Sequence, residues 1–247
     1  YVGGILEMMN HRLYEFWGNL EEGLRTGNPQ NELKDGGETI FEKLYEEPAR
    51  LEEFMEAMAG VSKGNFQAFA ESFDFSDYET VCDVGGALAN LSRLVAREHP
   101  HLSFVSMDLP EVTELARERI QEDGLADRIE AVSRDYYEDP IPEADVVTAS
   151  LILHDISLED KKMLIDKIYD AVNPGGAFVA IDNIIDDERR DNVFGLLMSL
   201  NMLIETGDEG FDYTGEQFTD WATEAGFDKV EIRHLNGPAS MAIAHKH

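Results

Sequence analysis

The sequence has little positive charge. Lys and Arg number 20 against 51 Asp and Glu in 247 residues, giving a net charge of −31. The acidic residues are spread along the chain, and such a surface repels phosphates, so we expect no binding to DNA or RNA. Two explanations of the acidity stay open, adaptation to a salty cytosol and an ordinarily acidic, well-solvated surface. The scarcity of lysine favours the first.

The features of membrane and secreted proteins are also missing. No apolar run reaches the roughly 20 residues that span a bilayer, and no signal peptide is evident. The single cysteine, Cys82, cannot form an internal disulfide. We therefore expect a cytoplasmic protein with no membrane partner. Because the chain begins with Tyr rather than Met, we also expect an N-terminal part to be missing.

Apolar periodicity divides the chain in two. Residues 1–75 show the three- and four-residue steps of helices and no strand pattern, with helical segments predicted at 5–24, 40–45 and 51–73. We interpret them as a helical linker or the remnant of an N-terminal region. Residues 76–247 form the second part, which we expect to be the main domain.

Short apolar runs alternate with amphipathic helices in the second part. Strands are predicted at 80–84, 102–107, 129–132, 144–148 and 177–182, and helices at 88–98, 111–122, 158–172, 191–205 and 215–225. Such alternation predicts an α/β fold with a doubly wound, mostly parallel sheet. Residues 229–234 and 240–245, joined by Asn-Gly-Pro, predict an antiparallel hairpin at the edge of the sheet.

The stretch 81–108 predicts a nucleotide pocket. It reads as a buried strand, a glycine turn, a helix and a second strand that ends in Asp108, an order that brings backbone N–H groups and a ribose-binding acid together. A strict G-x-G-x-G pattern would place glycine at 85, 87 and 89, where this chain has Gly85, Ala87 and Ala89. Asp108 could instead cap the helix that starts near Pro110, and the two roles are compatible.

Other polar residues also follow predicted strands, where a doubly wound sheet binds ligands. Asp135 and Tyr136 could contact an amine and a base, although a loop Asp is usually only solvated. Ser150 ends the fourth strand.

His154 follows closely. It could be a buried core histidine or a catalyst, since an imidazole accepts protons near neutral pH. Asp182 or Asp212 could hold its other ring nitrogen.

No metal site is evident. His99 and His101 lie between a helix and a strand, away from the carboxyl ends of the strands, and His245 and His247 lie at the terminus. Neither pair has further side chains nearby in the sequence that would complete a convincing set of metal ligands.

Six motifs follow one another along the chain: V-C-D-V-G-G, M-D-L-P-E-V, R-D-Y-Y-E-D-P-I-P-E-A-D, L-I-L-H-D-I-S-L-E-D, N-P-G-G-A-F-V-A-I-D and L-N-M-L-I-E-T-G. Together they resemble the S-adenosylmethionine-dependent O-methyltransferases of the caffeate, hydroxyindole and bacterial polyketide-tailoring type. The resemblance covers nearly the whole chain. It implies a seven-stranded, Rossmann-like methyltransferase sheet with an antiparallel C-terminal hairpin. It also implies a homodimer where the family's N-terminal dimerisation domain is present.

The resemblance also implies roles for individual residues. Gly85 would lie against the methionine end of S-adenosylmethionine, Asp108 would bind the ribose and Leu109 would pack near the adenine. Asp135 and Tyr136 would flank the adenine, and Ser150 stands where plant members often have lysine. His154 would be the general base, with Asp182 and Asp212 where many members have glutamates. Ile156 replaces a family tryptophan. The implied substrate pocket includes Trp17, Phe16, Asn201 and Met202.

The implied reaction is methyl transfer from S-adenosylmethionine to a hydroxyl of a small aromatic or polyene molecule, with S-adenosylhomocysteine as the product. The alternative within the family is non-methylating chemistry on the same cofactor, namely hydroxylation, decarboxylation or cyclisation. Two further alternatives are a nicotinamide dehydrogenase, which would require the pattern G-x-G-x-x-G, and a non-catalytic scaffold that has lost the cofactor.

Overall fold

A seven-stranded sheet forms the centre of the protein. The computed structural model describes residues 6–7, 9–35 and 48–247. The strand order is β3-β2-β1-β4-β5-β7-β6. The strands are β1 Thr80–Val84, β2 Ser103–Asp108, β3 Ile129–Ser133, β4 Ala144–Ser150, β5 Val172–Asp182, β6 Lys229–Asn236 and β7 Ala239–His245.

The strand pairing confirms the predicted α/β architecture. Strands β1 to β5 pair in parallel, whereas β7 lies antiparallel between β5 and β6. Strand β5 begins at Val172 rather than at the predicted residue 177, because Val172 pairs with Ala144 across a register shift. The Asn-Pro-Gly-Gly sequence that follows Val172 resembles a loop, and this hid the start of the strand.

Helices cover both faces of the sheet. The α-helices in the described residues are α1 Tyr14–Trp17, α2 Leu20–Thr26, α3 Pro48–Ser72, α4 Asn90–Glu98, α5 Pro110–Glu122, α6 Leu158–Ala171, α7 Val193–Thr206 and α8 Gly215–Ala225. Adjacent strand residues enter different core clusters: Val147 and Phe178 pack with α6 and α8, while Val146 and Val179 pack with α3 and α4. This period of two buries both faces of the sheet. No helix in the described ranges is long and apolar enough to cross a membrane.

The first predicted helix, 5–24, is wrong as a single element. The chain forms a π-helical turn at Met9–Leu13, continues into α1, leaves the helix at Gly18 and Asn19, and resumes in α2. Glycine and asparagine are weak helix formers, which explains a break at this point. The segment predicted at 40–45 lies outside the described residues, and the segment predicted at 51–73 corresponds to α3.

Arg12 joins the N-terminal segment to α7. Its guanidinium donates two hydrogen bonds to Glu32, both 2.8 Å long, and two to Glu205, at 2.6 and 2.8 Å. Asn31 Nδ2 also donates to the main-chain oxygen of Glu205 at 2.8 Å. Because the Arg12 side chain is only 13% exposed, these bidentate pairs are shielded from water and position the segment against α7.

Replacing Arg12 with Met should therefore loosen this contact. Without the cation between them, Glu32 and Glu205 face each other as like charges, and we expect a loss of about 3 kcal/mol in the free energy of unfolding. Arg25→Met is the matched control, because Arg25 pairs with Glu21 at an exposed site and should cost less than about 1 kcal/mol. Urea titrations of both variants measure the difference, and equal losses would contradict the assignment.

Candidate active site

The turn after β1 requires glycine at its first two positions. Gly85 has φ +66°, and Gly85 and Gly86 donate their N–H groups to the main-chain oxygen of Met107 at 2.9 and 3.1 Å. A Cβ at Gly85 would overlap the side chain of Ile152, and one at Gly86 would overlap Ser106 Oγ. The backbone is therefore held close to β2 at the carboxyl end of the sheet, where a ligand can approach it.

Ala87 and Ala89 occupy a conformation that favours glycine. Their φ angles are +48° and +56°, so each alanine adopts a left-handed conformation that costs an L-residue about 1 kcal/mol. The Ala87 side chain packs against an apolar cluster that includes Leu51 and Met55 of α3, and Ala89 is fully buried. Both methyl groups thus add to apolar packing, which offsets part of the conformational cost.

Asp108 closes the glycine turn. Its Oδ2 accepts the Ala87 N–H and its Oδ1 accepts the Leu109 N–H, each at 2.8 Å. Leu109, rather than Asp108, is the N-cap of α5, and no side chain caps that helix. Burial raises the pKa of Asp108 against the effect of these two bonds. Each carboxylate oxygen retains a lone pair for a further donor such as a ribose hydroxyl.

A buried acid on β1, Asp83, also supports this turn. The Asp83 side chain accepts hydrogen bonds from Thr148 Oγ1 at 2.7 Å and Ser92 Oγ at 3.3 Å. Burial raises the pKa of Asp83 to about 6 despite these bonds.

Asp135 and Tyr136 lie just beyond β3. Asp135 Oδ1 accepts the Tyr137 N–H at 2.8 Å, which forms a tight Asx turn. The Tyr136 ring packs against the core and lies 4.6 Å from the Tyr137 ring, centre to centre. Burial raises the pKa of Tyr136, so its hydroxyl stays protonated. The Asx turn fixes the acid and the ring relative to each other.

The backbone after β4 is bent into an unfavourable conformation that places His154. Ser150 Oγ lies 3.5 Å from the main-chain oxygen of Ile181, and Leu151 has φ +55°. A 3-10 turn, Leu153–Asp155, follows, while Ile156 enters the apolar core. Left-handed backbone at a non-glycine residue costs about 1 kcal/mol or more and persists where surrounding packing enforces it.

His154 is buried among carboxylates. Its Nδ1 lies 3.5 Å from Asp212 Oδ1, and its Nε2 lies 3.5 Å from Asp155 Oδ1. His154 Nδ1, Asp182 Oδ1 and both carboxylate oxygens of Asp212 form no hydrogen bond within the described part of the chain. Buried polar atoms without partners are costly, so this cluster can bind further donors and exchange a proton.

Charge determines the protonation of this cluster. Burial by itself lowers the pKa of His154, but Asp155, Asp212 and Asp182 together outweigh burial and raise it above its ordinary value. Burial raises the pKa of Asp182 to about 7, although His154 and a hydrogen bond from Tyr213 oppose this. The Tyr213 hydroxyl donates to Asp182 Oδ2 at 2.6 Å. The imidazole is therefore more basic than a free histidine.

The residues predicted for the substrate pocket come from distant parts of the sequence. Trp17 Nε1 donates to Asn201 Oδ1 at 3.0 Å, which joins the N-terminal segment to α7. The Arg12 guanidinium lies over the Phe16 ring, with its Cζ 5.2 Å from the centre of the ring. Met202 is buried. Helix α7 packs beside the 3-10 turn that carries His154.

Three residues of this region were missed from the sequence: Leu151, Lys161 and Tyr213. Lys161 is fully buried on α6, and its sequence signal is a charged residue at a position of the apolar face. Leu151 and Tyr213 gave no signal, because an apolar residue at a strand end and a tyrosine in a loop are both ordinary. Within the described ranges, no three His, Cys, Asp or Glu side chains could hold a metal ion together.

Comparison with known proteins shows the family. Residues 17–228 match the O-methyltransferase domain model. The chain is 37% identical over its whole length to the tetracenomycin polyketide synthesis 8-O-methyl transferase of Streptomyces glaucescens, covering 71% of it. It is 33% identical to the 3-hydroxy-5-methyl-1-naphthoate 3-O-methyltransferase of Streptomyces sahachiroi, with 98% of this chain and 69% of that protein aligned.

A solved structure agrees with these matches. The crystal structure of human N-acetylserotonin methyltransferase in complex with S-adenosylmethionine superimposes with a TM-score of 0.88 at 28% identity, covering 98% of this chain and 70% of that one. The fold is therefore that of the Rossmann-like, S-adenosylmethionine-dependent methyltransferases. The chain belongs to the O-methyltransferase family and is an enzyme that uses S-adenosylmethionine as its methyl donor.

The glycine turn generates a prediction about affinity. Because the Ala87 methyl packs against the apolar cluster, Ala87→Gly should leave affinity for S-adenosylhomocysteine within about twofold, and relief of the left-handed conformation should keep the stability change under about 1 kcal/mol. Gly85→Ala should weaken binding at least tenfold, because alanine is strained at φ +66° and its methyl overlaps Ile152, so the turn that would contact the cofactor must shift. Titration calorimetry measures both affinities. A clear gain in affinity for Ala87→Gly would place that methyl at the cofactor.

Proposed function

We propose that this enzyme methylates a hydroxyl on a small aromatic molecule of polyketide type, with His154 as the general base. The observation that carries the proposal is the buried imidazole between Asp212 and Asp155, each 3.5 Å away, at the carboxyl end of β4. A parallel sheet places ligands at this edge. The nearby carboxylates make the imidazole a stronger proton acceptor, which suits a phenol with a pKa near 10.

The described residues fit S-adenosylmethionine at the same edge. Gly85 would allow the methionine end to approach the main chain, and Asp108 has free lone pairs for the ribose hydroxyls. Leu109 and Tyr136 would offer apolar surfaces to the adenine, and Asp135 and Ser150 would offer polar atoms beside it. The bound cofactor supplies an electrophilic methyl group on a positively charged sulfur.

The protein's own contribution is to position the substrate and accept its proton. The hydroxyl oxygen would attack the methyl carbon in line with the carbon–sulfur bond, whose electrons return to sulfur, while the hydroxyl proton passes to His154. Asp212 would orient Nδ1 and stabilise the imidazolium, and Asp182 would add negative charge nearby. Alignment of this kind can lower the reaction barrier by roughly 7–11 kcal/mol. Proton transfer to the base would supply the rest of the rate enhancement.

The substrate class rests on the relatives and on the pocket. Of the two relatives described above, one is named for polyketide synthesis and the other for the methylation of a naphthoate. In the proposed pocket, Trp17 and Met202 would provide the apolar surfaces that a flat aromatic ring prefers, and Asn201 would provide a polar anchor. The non-methylating alternative is not favoured, because these relatives are named as methyltransferases.

The division of the chain into a linker and a cofactor-binding domain is also a proposal. We infer that residues 76–247 bind the cofactor, while residues 1–75 supply the helical linker that closes the substrate side through Trp17. Homodimerisation through the family's N-terminal dimerisation domain, a cytoplasmic location and adaptation to salt remain predictions.

Replacing His154 tests the proposal directly. The wild-type enzyme should add one methyl group to naphthols and related phenols and release S-adenosylhomocysteine, as followed by mass spectrometry. His154→Gln should lower kcat about 10²–10⁴-fold, the usual worth of a general base, while cofactor affinity by calorimetry changes less than about threefold. The exposed His234→Gln is the control and should behave as wild type. A collapse of cofactor affinity in His154→Gln would make His154 structural.

The charge around His154 should appear in the pH dependence. Only neutral His154 can accept a proton, so its raised pKa places the acidic limb of kcat/KM above pH 6.5. Asp182→Asn removes a negative charge that favours the imidazolium, which lowers the pKa of His154 and moves the limb toward lower pH by about one unit. Asp220→Asn, at an exposed position of α8, should leave the limb in place. A shift of the Asp182→Asn limb toward higher pH would contradict this arrangement.

A further inference from the structure

Lys161 lies where an apolar residue is expected. Along α6 it shares the inward face with Leu164, Ile165 and Ile168, at steps of three and four residues, and it is fully buried. Moving an ammonium group out of water costs several kcal/mol unless it is compensated. A buried lysine at such a position therefore needs specific partners.

Its contacts join two separate segments. Lys161 Nζ donates to the main-chain oxygen of Ile156 at 2.5 Å and lies 3.7 Å from the centre of the Phe211 ring. Ile156 is two residues after His154, and Phe211 immediately precedes Asp212. The hydrogen bond and the cation–π contact together set the separation of the segment that carries the base and the segment that carries its acid partner.

The surrounding charges favour the ammonium form. Asp182 on β5, Asp155 on the 3-10 turn, Asp212 before α8 and Asp160 on α6 itself all act to raise the pKa of Lys161. Burial is the larger effect and lowers that pKa to about 8, so the group carries its charge at neutral pH. Burial raises the pKa of Asp155, and Asp212 and Glu205 of α7 add to this, while His154 and Lys161 act in the opposite direction.

We propose that Lys161 is a positioning residue for methyl transfer, because its buried ammonium holds the His154 and Asp212 segments together and balances the charge of the surrounding carboxylates. The expected effect of Lys161 on the reaction rate rests on the proposed role of His154 as the base, whereas its effect on the pKa of His154 does not. A positive charge in this cluster opposes protonation of the imidazole, so Lys161 keeps more of His154 in the neutral form that accepts a proton.

The test compares Lys161→Met with Lys162→Met. Methionine keeps the length and apolar stem of lysine without its charge, and Lys162 is a half-exposed neighbour paired with Glu224. The pKa of His154 is measured by imidazole NMR with S-adenosylhomocysteine bound, using His154→Gln to assign the signal. Lys161→Met should raise this pKa by about 0.5–1 unit and move the acidic limb of kcat/KM upward equally. Lys162→Met should change neither.

The outcomes separate the two proposals. An unchanged pKa of His154, with kcat reduced equally at every pH, would show that Lys161 only fills space and would overturn the inference. A pKa that rises while the rate profile stays fixed would support Lys161 as the balancing charge and overturn His154 as the base.

A second variant covers failure of Lys161→Met to fold. Phe211→Leu keeps the ammonium but removes the ring beneath it, and it should lower kcat several-fold without changing cofactor affinity. Phe227→Leu, in the core beside Tyr169, is its control. Equal kcat in these two variants would also overturn the inference.

Discussion

The burial of charge at the carboxyl edge of the sheet is the constraint on which the rest of this site depends. His154, Asp182 and Asp212 are each almost entirely removed from water, and an isolated buried charge is too costly to keep. The protein meets this cost by collecting charges of opposite sign: the imidazole lies among carboxylates, Tyr213 binds Asp182, and the Lys161 ammonium lies nearby. The same grouping raises the pKa of the histidine, so the arrangement that allows burial would also support the proposed proton transfer.

Backbone conformation serves the same edge of the sheet. Left-handed residues occur at Gly85, Ala87 and Ala89 after β1 and at Leu151 after β4. Each bends the chain sharply near a strand end. Together they hold the turn after β1 close to β2, where the main chain would approach the cofactor in the proposed site, and they direct the chain toward His154 after β4. Three of these four residues are not glycine, so packing against α3, α4 and neighbouring strands must offset their conformational cost.

The fold was largely predictable because its signals are local. Apolar runs such as 80–84 and helical periodicity such as 158–172 arise from side-chain burial within one element, and their alternation defines a parallel sheet. Errors occurred where local signals were weak: Gly18 and Asn19 interrupt the first helix, and Asn173 to Gly176 disguise the start of β5. Residues at strand ends, including Asp108 and His154, could be proposed for the site because parallel strands direct their carboxyl ends to one edge.

By itself, the sequence determined the sheet, the order of its motifs and the list of polar residues at the strand ends, since these follow from periodicity and chain order. Only the tertiary structure decided which charges meet. The hydrogen bond of Trp17 with Asn201, the bridge from Arg12 to Glu205 and the position of Lys161 between Ile156 and Phe211 join residues from separate elements. Such contacts depend on how helices pack around the sheet, a property of the whole fold that no local pattern of residues contains.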